Sequence, residues 1–139
     1  MQTIAAREEI ELAKLPIAGI QDVLLARMVA RQEAARLGFA PRALTQIATA
    51  VSEIGRNVVQ HACASGQVII ADQTEGSRRG LKITVQDTGP GIADLDRALL
   101  AGSPGAGIPG SRKLMDEFAI RCGKGSGTTV TMVKWLSRE

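Results

Sequence analysis

The stretch LKITVQDTGPG, residues 81–91, leads from a β-rich segment directly into a loop that carries an aspartate and two glycines. Its first five residues predict a strand. Asp87 can accept a hydrogen bond from an exocyclic amine, and Gly89 and Gly91 let the backbone come close to a ligand. Aspartate and glycine are also common in plain turns after strands, and a plain turn is the favoured interpretation of this stretch taken alone.

The chain before this strand predicts two helices. Helically spaced apolar residues indicate a first helix over residues 20–37, which Gly38 ends. A second helix is predicted from Pro41 to about residue 64. Its apolar residues follow one another at steps of 3, 4, 3 and 4: Leu44, Ile47, Val51, Ile54 and Val58. Such a stripe faces a core.

The other segments complete a pattern of strands and helices. In chain order they are a first strand within residues 4–14, broken by Pro16 and Gly19; a hairpin of residues 68–70 and 81–85; a short helix at 94–100; a glycine-rich loop at 102–110; a helix at 111–118; and strands at 119–122 and 128–135. With the short helix at 94–100 left aside, the order β-α-α-β-β-α-β-β predicts an α+β two-layer sandwich, a mixed sheet with helices on one face. We expect one domain spanning residues 1–139.

Composition limits the class of protein. Hydrophobic residues make up 45% of the chain and charged residues 22%, so a core can form and disorder is disfavoured. No apolar run approaches the ~20 residues of a membrane span. The first residues lack the apolar segment of a signal peptide. We therefore expect a cytoplasmic protein without a membrane partner.

Charge and aromatic content argue against nucleic-acid binding. The net charge is +3 without a basic block, and the only aromatic residues are Phe39, Phe118 and Trp135, too few for base stacking. A mildly basic surface suits a phosphate ligand or an acidic protein partner. With one histidine and two widely separated cysteines, no zinc site is expected.

Glu53 and Asn57 lie four residues apart on the second predicted helix and therefore share a face. A carboxylate can take the proton of an attacking hydroxyl or water. An amide oxygen is a hard ligand that suits Mg²⁺. From spacing alone, two polar residues on a solvated helix face are the favoured interpretation.

Two later segments are rich in glycine. Gly105 and Gly107 precede a predicted helix, where backbone N–H groups suit phosphates. No strand directly precedes them and no Gly-Lys-[Ser/Thr] is present, so this is neither a Rossmann fingerprint nor a P-loop. The other segment, residues 125–128, is interpreted in isolation as a hairpin turn entering a last strand.

Taken in order, these four patterns resemble the GHKL ATPase superfamily, and the resemblance covers nearly the whole chain. It implies the Bergerat α/β sandwich, with ATP and Mg²⁺ bound. The segments VSEIGRN (51–57), DTGPGI (87–92) and PGSRKLMDEF (109–118) are similar to the RsbT-type serine kinases of bacterial stress signalling. Relatives of that type are the anti-sigma factor kinases of the RsbW and SpoIIAB kind.

The resemblance implies an activity and partners. It points to a serine/threonine-protein kinase that phosphorylates a STAS-domain antagonist of the stressosome and, when released, activates a PP2C-type phosphatase. Two alternatives stay open: a non-catalytic module that switches a phosphatase by docking, and an anti-sigma factor kinase that sequesters a sigma factor. The sequence also leaves open whether the chain forms a homodimer.

The resemblance also implies roles for single residues. Glu53 would be the general base, Asn57 would hold Mg²⁺ and Asp87 would bind the adenine amine. The other implied contacts are Gly89 and Gly91 beside the base, Gly105 and Gly107 at the phosphates, Thr128 lining the adenine pocket, and Arg27 facing partner proteins. His61 either orients the site or is an ordinary helix residue.

One segment departs from the family pattern. Only residues 92–104 separate the two glycine loops, where the family usually has a longer lid. Ser103 replaces the first glycine of the second glycine box, and Pro104 stiffens its approach. Because lids grip phosphates and exclude water, a trimmed lid predicts weaker or faster-exchanging nucleotide binding.

Overall fold

The computed structural model describes residues 7–62, 66–87, 107–123 and 127–136. Its elements in chain order are β1 Arg7–Ile17, α1 Ile20–Leu37, α2 Pro41–Asn57, a π-helical turn Val58–Ala62, β2 Gly66–Glu75, β3 Arg78–Asp87, α3 Gly107–Leu114, β4 Glu117–Gly123 and β5 Gly127–Trp135. The five strands form one sheet in the order β1-β2-β3-β5-β4.

The sheet is antiparallel throughout, which corrects the expectation of a mixed sheet. Each of the neighbouring pairs β1–β2, β2–β3, β3–β5 and β4–β5 is antiparallel. Two of these pairs are consecutive hairpins. The helical pair α1–α2 returns the chain to the end of the sheet where β1 finished, so β2 runs back along β1.

The helices cover one face of the sheet, as the sequence predicted. Alternate residues of β3, namely Leu81, Ile83 and Val85, are buried in the same apolar cluster as Ile47 and Val51 of α2. Helix α2 packs between α1 and α3 and also contacts β3. The α+β two-layer sandwich is therefore confirmed, with its core between α2 and the middle strands.

Local signals explain how the first two helices begin and end. At the start of α1, the Asp22 carboxylate accepts hydrogen bonds from the backbone N–H groups of Ala18, at 2.8 Å, and Gly19, at 3.2 Å. Gly38 ends α1 with a φ of 102°, a conformation that favours glycine. Pro41 opens α2, where its fixed φ suits the first helical position.

Strand β1 is longer than the sequence predicted. It passes through Pro16 and ends at Ile17, whereas Pro16 was expected to break it. Pro16 pairs with Gln67 on one side only, because β1 is an edge strand. A proline there removes no ladder hydrogen bond if its nitrogen faces outward. Pairing with β2 thus keeps β1 extended through Pro16, a residue that by local sequence alone predicts the end of a strand.

Helix α3 begins and ends earlier than expected. The sequence predicted a loop to residue 110 and a helix at 111–118, but α3 spans Gly107–Leu114 and Phe118 belongs to β4. Packing on α2 accounts for the shift: Ser111 is fully buried, and its Oγ lies 3.5 Å from the carbonyl oxygen of Ala50. Phe118 pairs with Met132 in the sheet. The helix predicted at 94–100 lies outside the described residues.

Within the described ranges, none of the helices is both long enough and apolar enough to span a bilayer.

Candidate active site

The C-terminal half of α2 positions Glu53 and Asn57 at the edge of the core. Ser52, Ile54 and Gly55 beside them are buried. The Glu53 side chain is 37% exposed, so its carboxylate is open to solvent and to a substrate. Asn57 is half-buried. The structure thus confirms that both residues lie on one helix, one turn apart, but it places Asn57 nearer the core.

The amide nitrogen of Asn57 is buried and has no hydrogen-bond partner among the described residues. A buried donor left unpaired costs about 1–3 kcal/mol, so native structures normally satisfy such groups. Asn57 is followed at once by the π-helical turn, a feature that is frequent at functional sites. The amide nitrogen is a donor that can contact an anionic ligand but not a cation, so the metal-binding role predicted for Asn57 rests on its amide oxygen.

Asp87 and Thr128 meet at the end of the sheet. They are directly opposite one another in the β3–β5 pairing, on the face that the helices cover. The Thr128 backbone N–H donates a hydrogen bond of 3.3 Å to Asp87 Oδ1. Thr128 is buried, with 8% of its surface exposed. The sequence predicted separate roles for Asp87 and Thr128. The register of the β3–β5 pairing makes them neighbours.

Gly66 connects this pair to α2. It lies opposite Asp87 in the β2–β3 pairing. A Cβ atom at Gly66 would lie 2.9 Å from Val58 Cγ1 and 3.5 Å from Asp87 Cα. Val58 directly follows Asn57 in the chain. The absence of a side chain at Gly66 therefore brings the Asn57 end of α2 close to the Asp87 end of β3, so the two halves of the predicted site share one end of the domain.

The donor set fits Mg²⁺ bound together with a nucleotide. The amide oxygen of Asn57 is a hard ligand of the kind that Mg²⁺ prefers, and the Glu53 carboxylate lies one turn away on the same helix. No group of three or more His, Cys, Asp or Glu side chains in the described part of the chain is arranged to hold a metal. Mg²⁺ commonly binds through one or two protein ligands plus substrate phosphates and waters. Asn57 would therefore be one protein ligand of a metal that is otherwise held by substrate phosphates and waters.

Three of the predicted site glycines, Gly89, Gly91 and Gly105, lie outside the described residues. Gly107 is the first residue of α3, and α3 packs on α2. Arg27 is exposed on α1.

Two residues at this end of the domain were not singled out from the sequence. Gly66 carries no local pattern that indicates a site, because its role depends on contacts with Val58 and Asp87. Arg56 was noted only within a longer motif, yet its Nη1 lies 3.6 Å from Glu53 Oε1. The i, i+3 spacing of opposite charges on a predicted helix is the signal that could have identified Arg56.

Comparison with known proteins agrees with this fold. Residues 18–134 match the family described as Histidine kinase-like ATPase domain. The chain belongs to that family.

Among characterised relatives, the chain is 38% identical to the serine/threonine-protein kinase RsbT of Bacillus subtilis (strain 168), over 83% of this chain and 90% of that protein. It is 31% identical to an anti-sigma F factor of Caldanaerobacter subterraneus subsp. tengcongensis, over 86% of this chain and 89% of that protein.

A crystal structure of the RsbU and RsbW domains of Rv1364c from Mycobacterium tuberculosis has a similar fold, with a TM-score of 0.63 and 23% identity. The similarity covers 92% of this chain and 34% of that one.

Proposed function

We propose that this protein is an ATP-dependent serine/threonine-protein kinase of a bacterial partner-switching pathway, a single cytoplasmic catalytic domain spanning residues 1–139. One observation carries the proposal: packing of Val58 near Gly66 brings the Glu53–Asn57 helix to the end of the sheet where Asp87 pairs with Thr128. Glu53, Asn57 and the Asp87–Thr128 pair thereby lie at one end of the domain, which supports their proposed roles as base, metal ligand and adenine-binding pair. The similarity to RsbT supports the same activity.

The proposed reaction is transfer of the γ-phosphoryl group of ATP to a serine hydroxyl. Glu53 accepts the hydroxyl proton as the serine oxygen bonds to the γ-phosphorus, and the bond from that phosphorus to the β-bridging oxygen breaks to release ADP. Asn57 would hold Mg²⁺, which neutralises developing charge on the phosphates when bound. Since phosphoryl transfer depends mainly on positioning, the exposed carboxylate on a rigid helix suits this role.

The nucleotide would be held at two places. Asp87 would accept a hydrogen bond from the adenine amine, with Thr128 lining the pocket and Gly89 and Gly91 allowing the loop to approach the base. Gly105 and Gly107 would contact the phosphates. The last assignment has physical support because Gly107 begins α3, and backbone N–H groups at a helix start bind anions.

The proposed substrate is a STAS-domain antagonist from a stressosome, and the proposed target of the released kinase is a PP2C-type phosphatase. The outer surface of α1 offers a docking site. Ile20, Leu24 and Met28 follow at intervals of four residues and are 49%, 52% and 50% exposed. Arg27 and Arg31 are exposed on the same helix. An apolar and basic surface suits a partner that is apolar and acidic.

Replacing Arg27 tests this docking site. Arg27→Ala should weaken binding of the STAS partner about tenfold, roughly 1.4 kcal/mol, while the affinity for Mg-ATP stays unchanged. Arg36→Ala is the matched control, because Arg36 is also exposed on α1 and already pairs with Glu33. Equal losses for both variants would assign the effect to net charge rather than to Arg27.

Replacing Glu53 tests the catalytic proposal. With radiolabelled ATP and a purified STAS partner, Glu53→Ala should lower the transfer rate about 100-fold or more, the usual contribution of a general base. Glu33→Ala, which removes an ion-paired glutamate from α1, should leave the rate intact. Undiminished transfer by Glu53→Ala would reject Glu53 as the base, and no transfer by the unaltered protein would reject the kinase.

A second candidate is a switch module that docks on a phosphatase with little or no catalysis. The short segment 92–104 favours it, because a trimmed lid grips phosphates weakly. Calorimetric titration with Mg-ATP separates the two functions. A folded sample that binds no nucleotide supports the module, whereas measurable binding supports the kinase.

A third candidate, suggested by the similarity to an anti-sigma F factor, is an anti-sigma factor kinase. A pull-down that recovers a sigma subunit would support it.

A further inference from the structure

We infer that Arg56 is a positioning residue for Glu53, an inference that rests on the kinase function proposed above. The Nη1 atom of Arg56 lies 3.6 Å from Oε1 of Glu53, and the two side chains are 46% and 37% exposed. Of the cationic side chains described, only Arg56 comes within ion-pair distance of Glu53.

Helix geometry places Glu53 between two different groups. Residues three and four positions later lie on either side of a helical side chain, one turn along the axis. Asn57, at the fourth position, lies on the core side, where its amide nitrogen is buried. Arg56, at the third position, is exposed. The carboxylate thus has a metal-binding amide on its inner side and a guanidinium on its outer side.

A protein substrate must reach the carboxylate from the outer side. Without a partner, a half-exposed glutamate on a helix surface samples several rotamers. The ion pair with Arg56 favours those in which the carboxylate points along α2 toward the next turn, which carries both Arg56 and Asn57 and where a serine hydroxyl and the γ-phosphorus would meet. An exposed ion pair is weak in water, but it strengthens when a docked partner excludes water from it.

In the proposed step, Arg56 acts through Glu53 and exchanges no proton. The serine hydroxyl proton passes to a carboxylate oxygen of Glu53, the serine oxygen–phosphorus bond forms, and the bond to ADP breaks. The guanidinium stays protonated throughout, as arginine does in proteins. Removing it should therefore slow the chemical step without weakening nucleotide binding.

The first test measures phosphoryl transfer to a STAS partner by Arg56→Ala and Arg56→Lys. Arg56→Ala should lower kcat about tenfold with KM for ATP unchanged, less than the ~100-fold loss that a 1 Å misplacement can cause. Arg56→Lys should restore part of the rate because it keeps the charge. The control is Arg36→Ala, since Arg36 pairs with Glu33 on α1 at the same i, i+3 spacing, 3.3 Å apart.

The second test asks whether Arg56 acts through Glu53. In a Glu53→Gln background, where the base is absent, adding Arg56→Ala should change the residual rate by less than about twofold, because mutations that remove one shared interaction are not additive. A full tenfold loss in that background would overturn the inference. Calorimetry on Arg56→Ala should give a Mg-ATP affinity close to that of the unaltered protein, and lost binding would also overturn it.

The outcomes separate this inference from the proposed function. If the unaltered protein transfers phosphate and Arg56→Ala is equally fast or faster, only the positioning role is rejected. If the unaltered protein transfers none, the kinase function and the positioning role are rejected together.

Discussion

Arg7 and Glu117 lie on the two opposite edge strands of the sheet, β1 and β4, yet Arg7 Nη2 donates a hydrogen bond of 2.9 Å to Glu117 Oε2. The contact belongs to a cluster with one residue from each of the five strands. Glu75 of β2 accepts hydrogen bonds from Arg7 and, at 2.8 Å, from Arg78 of β3. The indole N–H of Trp135, on β5, donates to Glu117 at 2.9 Å. We call these residues the five-strand cluster.

The indole ring of Trp135 lies against the backbone of β3. A Cβ atom at Gly80 would lie 2.3 Å from the Lys134 carbonyl oxygen and 2.9 Å from Trp135 Cε3, so only glycine fits beneath the ring. The Arg78 guanidinium is 4.0 Å from the ring centroid, within cation–π distance. The five-strand cluster thus lies on the face of the sheet without helices, at the end opposite Asp87.

Removing Glu117 should destabilise the domain. Glu117→Ala deletes the acceptor shared by Arg7 and Trp135, and its side chain is only 35% exposed. We expect the Tm to fall by about 3–5 °C, since each 1 kcal/mol shifts the Tm of a domain this size by a few degrees. The measurement is thermal unfolding by circular dichroism. Glu33→Ala, which breaks a local pair on α1, should shift Tm much less.

The five-strand cluster also predicts a pH dependence. The hydrogen bond from Arg7 holds the pKa of Glu117 below its ordinary value of 4.5. The hydrogen bonds from Arg78 and then Arg7 lower the pKa of Glu75 in the same way. A carboxyl whose pKa is lower in the folded state stabilises folding above its unfolded pKa, and this stabilisation is lost as pH falls through the folded pKa.

The Tm difference between the unaltered protein and Glu117→Gln should therefore stay constant from about pH 8 to about pH 6 and shrink below about pH 4.5. Melting both proteins across this range checks the expectation. A difference that grows on acidification would contradict the stated direction of the pKa.

Gly66 should be intolerant of a side chain. A methyl group there meets the Gln86 carbonyl oxygen at 2.5 Å and Val58 Cγ1 at 2.9 Å, so Gly66→Ala must displace β3 and the π-helical turn from β2. Overpacking of this kind costs about 1–3 kcal/mol. Because the same contact joins the two halves of the site, Mg-ATP affinity should fall as well.

The matched control for Gly66→Ala is Gly110→Ala. A Cβ atom at Gly110 meets nothing within 4 Å, and alanine is the better helix former in α3. Unfolding and calorimetry on both variants provide the test. If Gly66→Ala is destabilised but binds Mg-ATP with unchanged affinity, the contact at Gly66 stabilises the core and does not arrange the nucleotide site.

Asp87 should determine the preference for adenine. Asp87→Asn replaces one acceptor oxygen with an NH₂ donor. That donor would then lie against the adenine amine, which is also a donor, so no hydrogen bond can form between them. We expect ATP affinity to fall about 10- to 100-fold, the range for a lost hydrogen bond to a charged group, measured by calorimetry. Because Asp87 Oδ1 also accepts from the Thr128 N–H, the Tm of this variant must be measured alongside. An unchanged ATP affinity would remove Asp87 from the base-recognition pair.

Much of the site could be predicted because it is encoded locally. The spacing of Glu53 and Asn57 on α2 and the apolar stripe beside them depend only on helical periodicity, and the structure confirms both. The sequence did not indicate a role for Arg56, because an i, i+3 pair of opposite charges is usually part of an ordinary solvated helix surface. It did not indicate one for Gly66 because its role depends on Val58 and Asp87, one of which is far away in the chain.

The sequence by itself determined the order of the elements, the amphipathic helix that carries Glu53 and the presence of an aspartate at the end of β3. These depend on interactions within a few residues. Only the tertiary structure decided the antiparallel sheet, the start of α3 at Gly107 and the pairing of Asp87 with Thr128. Register and close approach between distant segments are set by which side chains can be buried together, and a linear pattern does not specify that partner.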